Sequence, residues 1–146
     1  MKMKFKIMIV AFMLCEVMVS GRISNAFAGD VMIIANKEVP AEHLGWEEVN
    51  GIFLGKIMRW SNDDRIIIVL HSNDDIHEAF LKKYVKRTAT QFSNVWRQNM
   101  FTGKGRIPVE KNSDAELIDY VSKTKGAISY ISSDVTLPPG IKVLAK

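Results

Sequence analysis

The chain has 146 residues, 20 of them Lys or Arg and 16 Asp or Glu, with a single Cys. That length suits one domain with its own core, and one Cys excludes a disulfide framework. The modest positive balance gives no support for nucleic-acid binding, which needs a clustered basic surface.

Met1 to Ala28 reads as a Sec signal peptide. Lys2, Lys4 and Lys6 form a basic start, and Ile7 to Val19 is an apolar stretch interrupted only by Glu16. Ala26-Phe27-Ala28 fits a small-x-small cleavage pattern, so the mature chain is expected to start at Gly29. The apolar run falls short of the ~20 residues that a spanning helix needs. Cys15 follows Met13 and Leu14 rather than the small residues that precede a lipid-modified Cys. The leader holds four bases and one acid, leaving sixteen bases against fifteen acids. The remaining 118 residues, 29–146, are expected to form one domain burying roughly two-thirds of its unfolded surface.

Val31 to Ala35 is an unbroken apolar run and predicts a buried strand. Pro40 and Gly45 frame a loop into a helix over about Trp46 to Leu54, with Val49, Ile52 and Phe53 on one face and Gly55 as its stop. Ser61 to Asp64 is a turn cluster. Ile66 to Leu70 predicts a central strand buried on both faces, as in parallel sheets. Ser72-Asn73-Asp74-Asp75 caps a helix running to about Lys86 that buries Ile76, Phe80, Leu81, Tyr84 and Val85. A further helix spans about Ala89 to Met100, burying Phe92, Val95 and Trp96, and stops at Gly103. Ser113-Asp114-Ala115-Glu116 has the capping-box pattern and opens a helix to about Lys123 that buries Leu117, Ile118 and Val121. Ala127 to Ile131 is a strand, Pro138-Pro139-Gly140 a turn and Ile141 to Leu144 a last strand. Strands alternating with helices imply a parallel or mixed sheet covered on both faces.

Catalytic chemistry has little footing. The mature chain carries no Cys, G-x-S-x-G or metalloprotease motif. His71 and His77 lie near Asp74, Asp75 and Glu78, but their spacing fits no standard zinc pattern, and a solvated, capped helix start accounts for them. Asp74 and Glu78 are explained by the helix dipole, as are Lys82, Lys83, Lys86 and Arg87 at the other end. Gly103-Lys104-Gly105-Arg106 lacks the strand before and helix after that a P-loop requires, and reads as a basic loop. Trp46, Trp60 and Trp96 are expected to pack in or at the edge of the core.

Three segments carry a resemblance. They are Ile52-Phe53-Leu54-Gly55-Lys56 with Trp60-Ser61, Val95-Trp96-Arg97 with Phe101-Thr102-Gly103-Lys104-Gly105, and Gly126-Ala127-Ile128-Ser129-Tyr130-Ile131. In that order and spacing the chain resembles the phosphate-type periplasmic solute-binding proteins of ABC transporters, in their short, single-domain branch. The resemblance runs from about Val31 to about Leu144. It implies an α/β fold, a single lobe of a periplasmic-binding-protein-like architecture with a mostly parallel or mixed sheet.

Full-length members of that family hold a small oxyanion between two lobes, using hydroxyls, backbone N–H groups and an Arg. The second lobe places the Arg after a strand and then Ser-Gly-Thr opening a helix. Here those helix positions fall on Asp74, Asp75 and Ile76, and the Arg position on Leu70 or His71. Two acids would repel phosphate, and His71 and His77 would restore positive charge only at mildly acidic pH.

The resemblance therefore implies a non-enzymatic, exported solute-binding module whose ligand is a small anion such as phosphate, weakly held. Its alternative is an interaction or scaffold component of the cell envelope that has lost the ligand site. Candidate ligand-binding residues are Ser72, Asn73, His77, Ser132 and Ser133. No catalytic residue, metal or cofactor is implied. A periplasmic or secreted location, no membrane span after cleavage, no nucleic-acid partner and an envelope protein as possible partner complete the expectations.

Overall fold

The computed structural model describes residues 29–146; the leader predicted over residues 1–28 lies outside them. The first strand, Val31–Asn36 (β1), has all six residues buried. Its alternation feeds two separate cores. Val31, Ile33 and Ala35 face one, while Met32 and Ile34 face the other. This is why the run shows no polar alternation: both faces of the strand are covered.

The remaining elements are Trp46–Phe53 (α1), Ile67–His71 (β2), Asp74–Phe80 (α2), Ala89–Phe101 (α3), Val109–Lys111 (β3), Asp114–Lys123 (α4), Ala127–Ser132 (β4) and Ile141–Ala145 (β5). The strands form one mixed sheet in the order β3-β2-β4-β1-β5. β2 runs parallel to β3 and to β4, whereas β1 is antiparallel to β4 and β5. Helices α1, α2 and α3 cover one face through Val49, Phe53, Phe80, Phe92 and Trp96. Helix α4 covers the other through Leu117 and Val121. The α/β, two-sided sheet expected from the sequence is therefore present. Among the described residues, the sheet, its helices and both cores are built from one continuous stretch of chain.

Four local expectations change. β3 was not expected; its three residues alternate too briefly to signal a strand, and pairing with β2 creates it. The helix predicted to Lys86 passes at Leu81 into a single wide π turn, Leu81–Val85, and Lys86 stops it with φ 57°. In the Ser113–Glu116 box, Ser113 Oγ accepts from Glu116 N–H, but the Glu116 carboxylate reaches Asn112 N–H instead of the cap residue. Trp46 is 57% exposed rather than packed, whereas Trp60 and Trp96 are buried.

Gly126 opens β4 and fixes its register. Its carbonyl accepts both Ile67 N–H and Trp60 Nε1–H, each at 3.0 Å. Its φ is 79°, and a Cβ there would overlap the Arg65 carbonyl oxygen. Gly126→Ala should cost at least about 2 kcal/mol in chemical denaturation, from left-handed strain added to a backbone clash. A loss under half of that would show that the Arg65–Gly126 contact is not rigid.

Candidate functional site

Parallel strands β2 and β3 end on the same edge of the sheet, where ligands gather in open α/β folds. A cleft of about 400 Å³ opens there. Its floor is Leu70 and His71 at the end of β2 with Glu110 of β3. Ser72, Asp74 and His77 come from the start of α2. One face of α3 supplies Phe92, Ser93, Trp96, Arg97 and Met100, and Ile107 and Pro108 close the rim. The α3 residues recur at i, i+1, i+4, i+5 and i+8, the spacing of a single helix face.

The two histidines are not a solvated helix start. His71 is buried and both its ring nitrogens are engaged. Nδ1 accepts Asn73 N–H at 3.0 Å, which places the proton on Nε2, and Nε2–H donates to Asp114 Oδ1 at 2.9 Å. His71 therefore ties β2 to the first turn of α4 and offers the cleft no ring nitrogen.

His77 is held by Tyr130 of β4. The Tyr130 hydroxyl accepts His71 N–H at 3.2 Å, so its own proton is free to go to His77 Nδ1, 2.5 Å away. In the neutral ring this leaves the His77 proton on Nε2, the nitrogen not used by the protein. Tyr130 is itself locked: its ring stacks on Phe80 with centroids 3.8 Å apart and meets Phe53 edge-on. Burial pushes the Tyr130 hydroxyl well above its usual range, so it stays protonated and able to donate.

Burial also holds the His77 pKa below the ordinary histidine value, against the opposing pull of the Glu110, Asp74 and Glu78 carboxylates; the nearby His71 lowers it further. The gain of positive charge expected of His77 at mildly acidic pH therefore runs against desolvation.

Of the five candidate residues, the cleft brings together two, Ser72 and His77. Asn73 is spent as the cap of α2, its Oδ1 accepting Ile76 N–H at 3.1 Å. Ser132 is buried and its hydroxyl donates to the Asp134 carboxylate. Ser133 donates its N–H to the Asp30 carbonyl at 2.8 Å. Neither serine lines the cleft, because β4 lies on the opposite side of β2 from β3. The sequence reading missed Arg97, Ser93 and Glu110. Their only signal was the α3 face that Phe92 and Trp96 define, and an unrecognised β3.

The acids matter to any ligand. Among the described residues, Asp74 and Glu110 have no salt-bridge or hydrogen-bond partner through their carboxylates, and Arg97 meets only Asn94 Oδ1 at 3.3 Å. A ligand thus finds two carboxylates, one guanidinium, the Ser72 hydroxyl and His77 Nε2–H. The Ser72 hydroxyl already donates to Asn112 Oδ1 at 3.1 Å.

Residues 25–143 match the family described as the PBP superfamily domain, and the chain belongs to that family. No protein of curated function matches the sequence. Among solved structures, it is similar to PstS from Borrelia burgdorferi, at TM-score 0.62 and 17% identity over 80% of this chain and 47% of that one. A Clostridium perfringens protein assigned as a phosphate ABC transporter substrate-binding protein, solved with bound phosphate, gives TM-score 0.62 and 18% identity, covering 80% and 44%. An ABC-type phosphate transport receptor from Vibrio cholerae gives TM-score 0.51 and 17% identity, covering 80% and 45%. At these identities the likeness is one of fold, and this chain spans under half the length of each.

Two outcomes follow from the Tyr130 network. Tyr130→Phe strands His71 N–H and His77 Nδ1 and should destabilise the fold by about 1–3 kcal/mol in urea titrations; a neutral result would mean that water replaces the hydroxyl. Because the folded His77 pKa lies below the unfolded value of 6.5, the unfolded chain takes up the proton first. Stability should be fully present above that value and fall as pH drops through it. His77→Gln should flatten this part of the stability–pH curve, and an unchanged slope would assign the loss to other groups.

Proposed function

We propose that the protein is a non-enzymatic, exported solute-binding module whose ligand is a small anion held weakly in the cleft at the ends of β2 and β3. The observation that carries this reading is the cleft itself. It is concave, mostly apolar, and has a few convergent donors, as small-molecule sites do. Its position and the family membership support solute binding, and the names of the three similar structures supply phosphate as the first ligand to try.

Weak affinity follows from the donor count. One free N–H group of α2, that of Ile76, already meets the Asn73 cap, and Asp74 and Asp75 occupy the helix start. An entering anion keeps His77 Nε2–H and the Arg97 guanidinium, and gains the Ser72 hydroxyl only by displacing its bond to Asn112, against the fields of Asp74 and Glu110. Tight oxyanion capture needs many short, charge-assisted donors with no competing carboxylate. The mature form is proposed to begin at Gly29 and to act outside the cytoplasm. Among the described residues no helix is long and apolar enough to cross a membrane.

A second reading is an interaction or scaffold part of the envelope. Exposed Met100 and Ile107 on the cleft rim favour it, since they offer apolar surface beside the opening.

The deciding experiment is an NMR titration of residues 29–146 with inorganic phosphate at pH 6 and pH 8, following the backbone amides of Ser72, Ser93 and His77. Saturable shifts at those amides with a millimolar dissociation constant are expected, reduced severalfold in Arg97→Gln. Amides that stay still at millimolar phosphate would sink the anion reading and favour the scaffold.

A further inference from the structure

Outside the cleft, three bases are placed by the same local device. Lys56 follows Gly55 (φ 73°), Arg87 follows Lys86 (φ 57°) and Lys104 follows Gly103 (φ 68°). Each left-handed residue stops a helix and turns the next side chain off the helix end. Together Lys56, Arg87 and Lys104 line one depression of about 340 Å³ that contains no acid.

This depression does not stand alone. A second one shares Arg87 and adds Lys82 and Lys86, with Glu78 as its one acid. A third shares Lys104 and adds Arg65 and Arg106, again without an acid. Seven bases thus form a continuous strip across three adjoining hollows, and among the described residues none of the seven has a salt-bridge partner. The bases that do pair, Arg59, Lys83, Lys123, Lys125 and Lys142, lie outside it. The helix dipole explains a cation at one helix end. It does not explain seven unpaired cations meeting on one strip in a domain of near-neutral net charge.

The strip is bordered by exposed apolar side chains. Ile107, 71% exposed, follows Arg106 and lines the same hollow as Lys104. Phe101, 85% exposed, ends α3 three residues before Lys104. Bases interleaved with exposed Phe and Ile fit a bilayer interface. There, headgroup phosphates attract the cations and the apolar tips enter the acyl boundary.

We propose that this strip docks the protein peripherally onto an anionic lipid surface through Lys56, Arg87 and Lys104, with Phe101 and Ile107 as apolar anchors. The docking face adjoins the cleft at Ile107, which lines both, but Lys56, Arg87 and Lys104 do not line the cleft, so the proposal stands whether or not the cleft holds a solute.

The test is cosedimentation of residues 29–146 with vesicles of phosphatidylglycerol and phosphatidylethanolamine, against vesicles of phosphatidylcholine alone. Binding to the anionic vesicles only is expected, weakening with salt. The K56Q/R87Q/K104Q variant should lower partitioning by at least about tenfold, and F101S/I107S should lower it severalfold. All five side chains are exposed, and circular dichroism melts verify that both variants stay folded. Equal binding of wild type and the triple variant, or none to anionic vesicles, overturns the proposal. So does binding that needs the three bases but not Phe101 and Ile107 and is displaced by millimolar inorganic phosphate, which would make the strip a small-anion site.

Discussion

One hydroxyl group joins the sheet, the helical layer and the cleft. Tyr130 reaches from β4 beneath β2 and α2, accepts a backbone N–H from His71 and donates to His77. Its ring is clamped against Phe80 and Phe53, so the hydroxyl cannot move without disturbing the core. A buried hydroxyl with both roles filled stabilises the fold modestly, but an unfilled partner in the same place is costly. The position and tautomer of His77 are consequences of core packing rather than of anything at the cleft surface.

That arrangement sets what the cleft can do. His77 presents a fixed N–H donor without needing a charge, and His71 is withdrawn into a bridge to Asp114. The helix start that would grip an oxyanion gives one of its N–H groups to its own cap and carries two acids in its first turn. The fold therefore opens a cleft at the ends of β2 and β3 that offers an anion few donors. Lys56, Arg87 and Lys104, which have no acid beside them in their shared hollow, lie outside the cleft lining, behind the helix stops at Gly55, Lys86 and Gly103.

The sheet was largely legible in the sequence because its signals are local. Val31 to Ala35 and Ile66 to Leu70 are apolar on both faces, and Ala127 to Ile131 is so but for Ser129, which is the pattern of interior strands. β3 was not legible, since three residues acquire strand geometry only from a neighbour. Ser72 and His77, named because they flank a strand end and a helix start, do line the cleft. Ser132 and Ser133 were assigned to the site on strand ends alone, and strand order, which no local pattern encodes, carries them away from it. Arg97 and Glu110 join the cleft through pairings between distant segments. The basic strip was invisible for a related reason: each cation has an adequate local explanation, and only the folded chain brings them together.

The strand order also fixes when the molecule can become whole. β1 lies near the start of the described chain, yet its only ladder partners, β4 and β5, are built from residues 127–145. β1 therefore waits for nearly the whole polypeptide before it gains a single rung. Until then its six apolar residues have no sheet to enter. Contacts this remote in sequence slow folding, because the closure entropy comes before any reward. A chain with this wiring stays loose while its far end is missing, so threading it lengthwise through a narrow opening meets no finished sheet to unravel.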